Sequence, residues 1–327
     1  MGGVVLKTIL LTGATGFVGR VLTESLIKQG YIVKVVLRSS KKASNDILFK
    51  NCKIFTPDDT KPDLGLTIAL QSVDVVIHLA ARVHIMHDYA MEPIEEFRKV
   101  NVEFTKQLVN LSTLSGVKRF VFLSSLHVNG NNSIHNLFHE TDTPKPTSPY
   151  AISKLEAEQI LKELAVTANM EFVIIRPPLV YGPNVKANFL SLLKLTKTGL
   201  PLPIGLLNNK RSMINVHNLV NFIVHCMEHL KAANETFLIS DDNDISTKEL
   251  FAKLIKLFGK RPLLLPIFPK LLYALGVLLG KKTIVDRLCA PLQVDITKAK
   301  TLLNWKPIQT IDEGLKETVD WYKKEYI

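Results

Sequence analysis

The chain is poor in cysteine: Cys52, Cys226 and Cys289 are its only three, far apart and without a Cys-x-x-Cys pair. A disulfide framework and a zinc knuckle are therefore excluded, and a reducing, cytoplasmic setting fits. Long apolar runs are also lacking. Val4 to Leu11 is too short to cross a bilayer and enters a glycine-rich turn rather than a cleavage site. Leu263 to Gly280 comes nearer to spanning length, but Pro266, Pro269 and Lys270 interrupt it. This pattern predicts a hydrophobic helix packed on a smaller lobe, with no stable membrane insertion. Clustered charge is a third absence. Lys and Arg outnumber Asp and Glu by 41 to 30, yet they are scattered along the chain. Such a distribution argues against nucleic acid and for a small anionic ligand. No metal is expected either: His84, His87 and Asp88 lack a helical HExxH frame, and Asp241 to Asp244 lack EF-hand spacing and read as a solvated turn. No repeat, low-complexity tract or linker divides the 327 residues, a length suited to one large domain plus a smaller lobe.

What is present begins with Val4 to Leu11, a β-branched and leucine run without polar alternation, as in a strand buried on both faces of a parallel sheet. It leads into Thr12-Gly13-Ala14-Thr15-Gly16-Phe17-Val18-Gly19 and then a helical period from Arg20 to Gln29. Glycines 13, 16 and 19 allow a tight turn, close approach to a pyrophosphate and packing of helix on strand. In this strand-turn-helix context the motif, including Thr15, Phe17 and Val18, predicts a dinucleotide site. The next strand, Ile32 to Leu37, ends without the Asp or Glu that would hold an adenosine ribose; Arg38, Ser39, Ser40, Lys41 and Lys42 follow. A 2′-phosphate suits these groups, so NADP(H) is favoured, with NAD(H) the alternative. Asp63 and Leu64 are placed near the adenine amine. Leu79 ends the fourth strand, and Ala80 and Ala81 after it are small enough for the cofactor to lie close.

Ser124 and Ser125 stand at the carboxyl end of the strand Arg119 to Leu123, where open α/β sheets keep their ligands. Further on, Ser148-Pro149-Tyr150-Ala151-Ile152-Ser153-Lys154 puts a phenol and an ammonium four residues apart at the start of a helix. Positions i and i+4 share a face, so Lys154 can lower the Tyr150 phenol from its ordinary value of about 10. With one of the two serines it would form a two-donor clamp on an oxygen that gains charge when hydride arrives.

Together TGATGFVG, HLAA, Asn101, FLSSLHVNG, SPYAISK and RPPLVYGP resemble the extended short-chain dehydrogenase/reductases, in particular the NAD-dependent epimerase/dehydratase group acting on nucleotide sugars. The resemblance implies an α/β fold: a Rossmann-type doubly wound parallel sheet over 1–180 and a smaller substrate-binding lobe over 181–327, with 213–240 returning to the first. It implies Ser125, Tyr150 and Lys154 as the catalytic set, Asn101 supporting the lysine through water, and Tyr150, Lys154, Asn101 and Pro177 against the cofactor. Substrate contacts carried over are Arg82, His127, Tyr181, Asn188 and Arg211, with Arg287 as a second guanidinium for a diphosphate. Two departures stand out. Leu126 and His127 replace the Asp-Glu pair of the dehydratases, which argues against dehydration, and Asn129 replaces the family's Tyr.

The expected activity is reduction of a UDP-4-keto-6-deoxy-N-acetylhexosamine in surface-polysaccharide synthesis. The alternative is a UDP-glucose or UDP-GlcNAc 4-epimerase. A reading of another class is a non-catalytic NAD(P)-binding regulator. The resemblance implies as partners a UDP-sugar and a second copy of the chain, in a homodimer through the helices carrying Asn101 and Tyr150.

Overall fold

The computed structural model describes residues 7–38, 46–57, 62–83, 93–280 and 282–327. The first half runs β1 (Thr8–Thr12), α1 (Phe17–Lys28), β2 (Ile32–Val36), β3 (Lys53–Phe55), α2 (Pro62–Leu70), β4 (Val75–His78), α3 (Pro93–Arg98), α4 (Phe104–Leu114), β5 (Arg119–Leu123), α5 (Pro149–Thr167) and β6 (Glu171–Arg176). The second half runs β7 (Leu179–Tyr181), α6 (Ala187–Thr198), β8 (Lys210–Arg211), β9 (Met213–Asn215), α7 (Val216–Glu228), β10 (Glu235–Leu238), β11 (Ile245–Ser246), α8 (Thr247–Leu257), α9 (Pro269–Leu278), α10 (Lys282–Cys289), α11 (Thr297–Leu303) and α12 (Ile311–Tyr326).

Seven strands form one parallel sheet in the order β10-β6-β5-β4-β1-β2-β3. Alternate side chains of each strand enter opposite cores, because successive Cβ atoms point to opposite faces. Ile9 and Leu11 of β1 pack with Leu22 and Leu26 of α1 and Phe222 and Ile223 of α7. Leu10, between them, packs with Leu66 of α2, Leu108 of α4 and Leu161 of α5. After β3 the chain crosses from one side of β1 to β4 on the other, creating the switch point where such sheets bind ligands beyond their carboxyl ends.

A smaller lobe gathers α6, α8 and α12 around Tyr181, Phe189, Leu250, Leu315 and Tyr322. Capping boxes start two of its helices, Ser246 with Glu249 and Thr310 with Glu313. The expected solvated turn at Asp241 is instead a buried junction: its carboxylate accepts from the Tyr181 hydroxyl (2.7 Å), the Asn218 amide (2.7 Å) and the Asn215 backbone N–H (2.8 Å). Burial raises the Asp241 pKa, and these hydrogen bonds oppose the rise. The expected hydrophobic helix is present as α9, but of its residues only Gly276 is buried. His84, His87 and Asp88 lie outside the described residues.

His78 is the polar exception within the sheet. It is fully buried at the end of β4, between the Thr12 hydroxyl at Nδ1 (2.6 Å) and the Thr105 hydroxyl at Nε2 (2.9 Å), and stacks on Phe122. Burial, reinforced by the Lys154 charge, pushes its pKa down to about 3. Below an unfolded-state value near 6.5 the unfolded chain binds a proton that the folded chain refuses, so this group destabilises the fold as pH falls from 6.5 toward 3. The integrated effect is roughly 4 kcal/mol. Denaturant titrations across that range should show a steep acid loss of stability that His78→Gln flattens, whatever its loss at pH 7. Equal slopes would rule out His78 as a source of the acid sensitivity.

Candidate active site

The loop after β1 is fixed by two close approaches. Gly13 has φ +74°, and a Cβ on it would lie 2.7 Å from the Ala80 nitrogen; a Cβ on Gly19 would lie 2.1 Å from the Gly13 carbonyl oxygen. Only glycine fits either place. Gly16 caps α1 without a side-chain hydrogen bond, and Thr15 beside it is exposed, while Phe17 and Val18 are partly buried in the first turn. The N-terminus of α1 is thereby left to an anion such as a dinucleotide's pyrophosphate. Leu79, Ala80 and Ala81 line the adjoining wall, partly buried after β4, and buried Pro177 follows β6. Arg38 stands exposed just beyond β2; Ser39 to Lys42 lie outside the described residues. Exposed Leu64 and Asp63 open α2, and the Asp63 carboxylate accepts from the Gln107 amide at 2.5 Å. These residues fit a dinucleotide.

Ser148 caps α5 by accepting from the Ala151 N–H (3.2 Å), and Pro149 occupies the first helical turn. Tyr150 and Lys154 thus fall on one face of a helix that begins beside Ser125. The Ser125 oxygen accepts from the His127 N–H at 3.3 Å, and Ser125 lies close enough to the Tyr150 phenol to favour its ionised form. Burial pushes that phenol up to about 12, and Ser125 pulls it back. Lys154 is 1% exposed, its ammonium 3.9 Å from the centre of the Phe122 ring. Burial brings it down to about 7, while the Glu158 carboxylate holds it up. The expected effect, a fixed lysine charge lowering the phenol, is therefore outweighed in the protein alone. The shared face of α5 turns inward, and desolvation penalises both charged forms.

Glu158, one turn beyond Lys154 on the same face, anchors this face. It forms a buried ion pair with Arg176, whose Nε donates to Oε1 (2.9 Å) and whose second guanidinium nitrogen donates to Oε2 (2.5 Å), and it also accepts from the Ser124 hydroxyl. The remaining arm of Arg176 donates to Asn129 Oδ1 (2.9 Å), and Asn129 Nδ2 donates to the His139 carbonyl (2.9 Å). Asn129 thus completes the Arg176 shell. Sequence reading missed Glu158 and Arg176; the continued spacing 150, 154, 158 was the available signal. Asn101 sits in a π-helical turn over Lys99–Glu103 between α3 and α4, donates to Ser153 Oγ (3.0 Å) and the Arg82 carbonyl (3.1 Å), and accepts from the Arg82 N–H (2.7 Å). It ties the loop after β4 directly to α5.

The expected substrate residues divide. Arg82 comes to the catalytic face, its guanidinium 5.6 Å from the Phe97 ring centre, and Phe97 meets Tyr150 edge-on at 6.3 Å. His127 is exposed just after Ser125, with Nδ1 3.2 Å from Asn131 Oδ1, and Asn188 is exposed in the first turn of α6. Arg211 in β8 donates to the Ala290 carbonyl (2.9 Å), which brings it beside the end of α10, the helix carrying Arg287. The Arg287 side chain lies outside the described residues. Tyr181 departs from expectation: it is fully buried, stacked on Phe189 at 5.5 Å, with its hydroxyl on Asp241. Those contacts turn the ring into the lobe core and away from any ligand. Among the described residues no cluster of His, Cys, Asp or Glu could hold a metal.

A profile of the NAD dependent epimerase/dehydratase family matches residues 9–240. The chain is 45% identical to a UDP-glucose 4-epimerase of Vibrio cholerae over 95% of its length and 94% of that protein's. It is 30% identical to the N-acetyl-alpha-D-glucosaminyl-diphospho-ditrans,octacis-undecaprenol 4-epimerase of Escherichia coli O157:H7, over 96% and 94%. Among solved structures, the UDP-glucose 4-epimerase of Thermotoga maritima with UDP-glucose superposes with a TM-score of 0.77 at 26% identity, over 97% of this chain and 99% of that one. With the glycine loop, the parallel sheet and the Ser125, Tyr150 and Lys154 set in one place, the chain is an enzyme of the extended short-chain dehydrogenase/reductases and belongs to the NAD-dependent epimerase/dehydratase family.

Proposed function

We propose that the protein is a UDP-sugar 4-epimerase working through NAD(H). The observation that carries this reading is the placement of Ser125 beside the Tyr150 phenol at the carboxyl edge of the sheet, with Lys154 one turn further along α5. The 45% identity to a UDP-glucose 4-epimerase and the likeness to a UDP-glucose-bound structure support the sugar nucleotide. Bound at the Gly13 to Gly19 loop, the dinucleotide supplies a hydride acceptor that is also the donor. Ser125 holds the sugar's carbon-4 oxygen against Tyr150. The Tyr150 oxygen takes the hydroxyl proton as the ketone forms and returns it when the alcohol is remade on the other face. To take that proton the phenol must first be ionised, which the Lys154 charge, kept available by Glu158, favours against the burial that raises it. Arg211 would grip the diphosphate.

A second reading, a 4-ketoreductase using NADP(H), is favoured by one observation: Arg38 follows β2 where a ribose-binding carboxylate is absent. The purified protein separates the two. Bound NAD that co-purifies, with interconversion of UDP-glucose and UDP-galactose and no added cofactor, supports the epimerase. NADPH consumed in proportion to a 4-keto substrate, with Arg38→Ala weakening NADPH and sparing NADH, supports the reductase.

Tyr150→Phe should lower kcat by about 10²–10⁴ with cofactor affinity nearly intact, since only the proton carrier is lost. Full turnover would refute the mechanism. Glu158→Gln removes the charge that holds Lys154 up, so the descending limb of the kcat–pH profile should move to lower pH, with roughly a tenfold loss at pH 8 and less at pH 6. A uniform loss at all pH values would reduce Glu158 to packing. UDP alone, at about a hundred times its Kd, should stabilise the protein by roughly 2.7 kcal/mol, and Arg211→Ala should remove most of that shift but not the one produced by NAD. An equal UDP shift in the variant would exclude the diphosphate contact.

A further inference from the structure

The segment 259–285 is set apart by chemistry and by exposure. It contains Lys260, Arg261, Lys270, Lys281 and Lys282 and no Asp or Glu. Its helix α9 packs Leu272 against the cluster of Leu202, Ile204, Leu207, Phe251 and Ile255, and Gly276, one turn on, is buried. Most of the remaining surface of the helix is left bare, Tyr273 and Val277 included. Leu271, Leu275 and Leu278 follow one another at helical spacing along it, flanked by Phe268 and Leu279; Phe268 is 72% exposed and Leu278 80%. Exposed Lys270 lies at one end of the helix and Lys282 at the other, the latter 5.7 Å from the ring centre of Tyr273. No helix among the described residues is long and apolar enough to cross a membrane. At ten residues α9 is about 15 Å long, half of a hydrocarbon core of about 30 Å.

We propose that α9 and its flanking cations form a peripheral docking surface for an anionic phospholipid bilayer, with the helix lying in the plane of the interface. Each feature has a part in this. The apolar stripe enters the boundary between headgroups and acyl chains, and the lysines at its two ends meet the lipid phosphates. The absence of acidic residues across 27 positions removes repulsion from an anionic surface, which a protein partner would not require. Leu272 and Gly276 keep the helix fixed to the small lobe, so docking needs no unfolding. The inference is independent of which carbon-4 reaction the site performs.

The test is co-sedimentation of the full chain with vesicles of phosphatidylcholine containing 30% phosphatidylglycerol, and with pure phosphatidylcholine, at 0.05 and 0.5 M salt. Binding to the anionic vesicles is expected, at least tenfold weaker on pure phosphatidylcholine and weakened by salt. Leu275→Asp with Leu278→Asp should cut it tenfold or more while leaving turnover of a soluble UDP-sugar unchanged. Should the double variant fail to fold, Leu278→Asp alone, at an 80% exposed position, serves, and Leu278→Trp should show a blue shift of its emission on adding anionic vesicles. No pelleting with anionic vesicles, or equal pelleting of the variants, would overturn the proposal. So would a dimer that the same substitutions dissociate in the absence of any vesicle binding, which would assign the face to a second copy of the chain.

Discussion

The site depends on keeping an ammonium inside a protein. Lys154 is 1% exposed and burial brings its pKa down to about 7, and Glu158, one turn further along the same face, opposes that loss of charge. A buried carboxylate has its own desolvation cost, which is met by the Arg176 fork and the Ser124 hydroxyl; Arg176 in turn is completed by Asn129. The chain of contacts joins the ends of β5 and β6 to α5. Ser125 therefore meets Tyr150 on a frame fixed from below by charge and from the side by Asn101. The same lysine charge reaches His78 on β4 and helps keep that ring neutral. One buried cation thus orders the residues around it.

The lobes are coupled by a second buried carboxylate. Asp241 lies just beyond β10, the outermost strand of the large sheet on its side, and receives the hydroxyl of Tyr181 from the core of the small lobe. Asn215 and Asn218, at the start of α7, complete its hydrogen bonds. Arg211 in β8 precedes this junction by a few residues. These hydrogen bonds thus tie the small lobe, next to Arg211, to the edge of the large sheet.

The sequence by itself determined the sheet, the glycine loop and the shared helix face of Tyr150 and Lys154. Each of these is a local property: an unbroken β-branched run, glycines that no other residue can replace, a spacing of four on a capped helix. It also determined that α9 would be helical and apolar. Only the tertiary structure decided which way the side chains face and what stands opposite them. Tyr181 turned into the lobe because Asp241, sixty residues later, offers a buried acceptor, and the acidic turn became a junction for the same reason. The Leu271, Leu275 and Leu278 side of α9 stayed bare because the lobe beneath has apolar partners only for its other face. The charge states of Tyr150 and Lys154 were also beyond the sequence: spacing predicts that two groups meet, but the sign of each pKa shift follows from how much water the surrounding fold removes, and that depends on contacts made between distant parts of the chain.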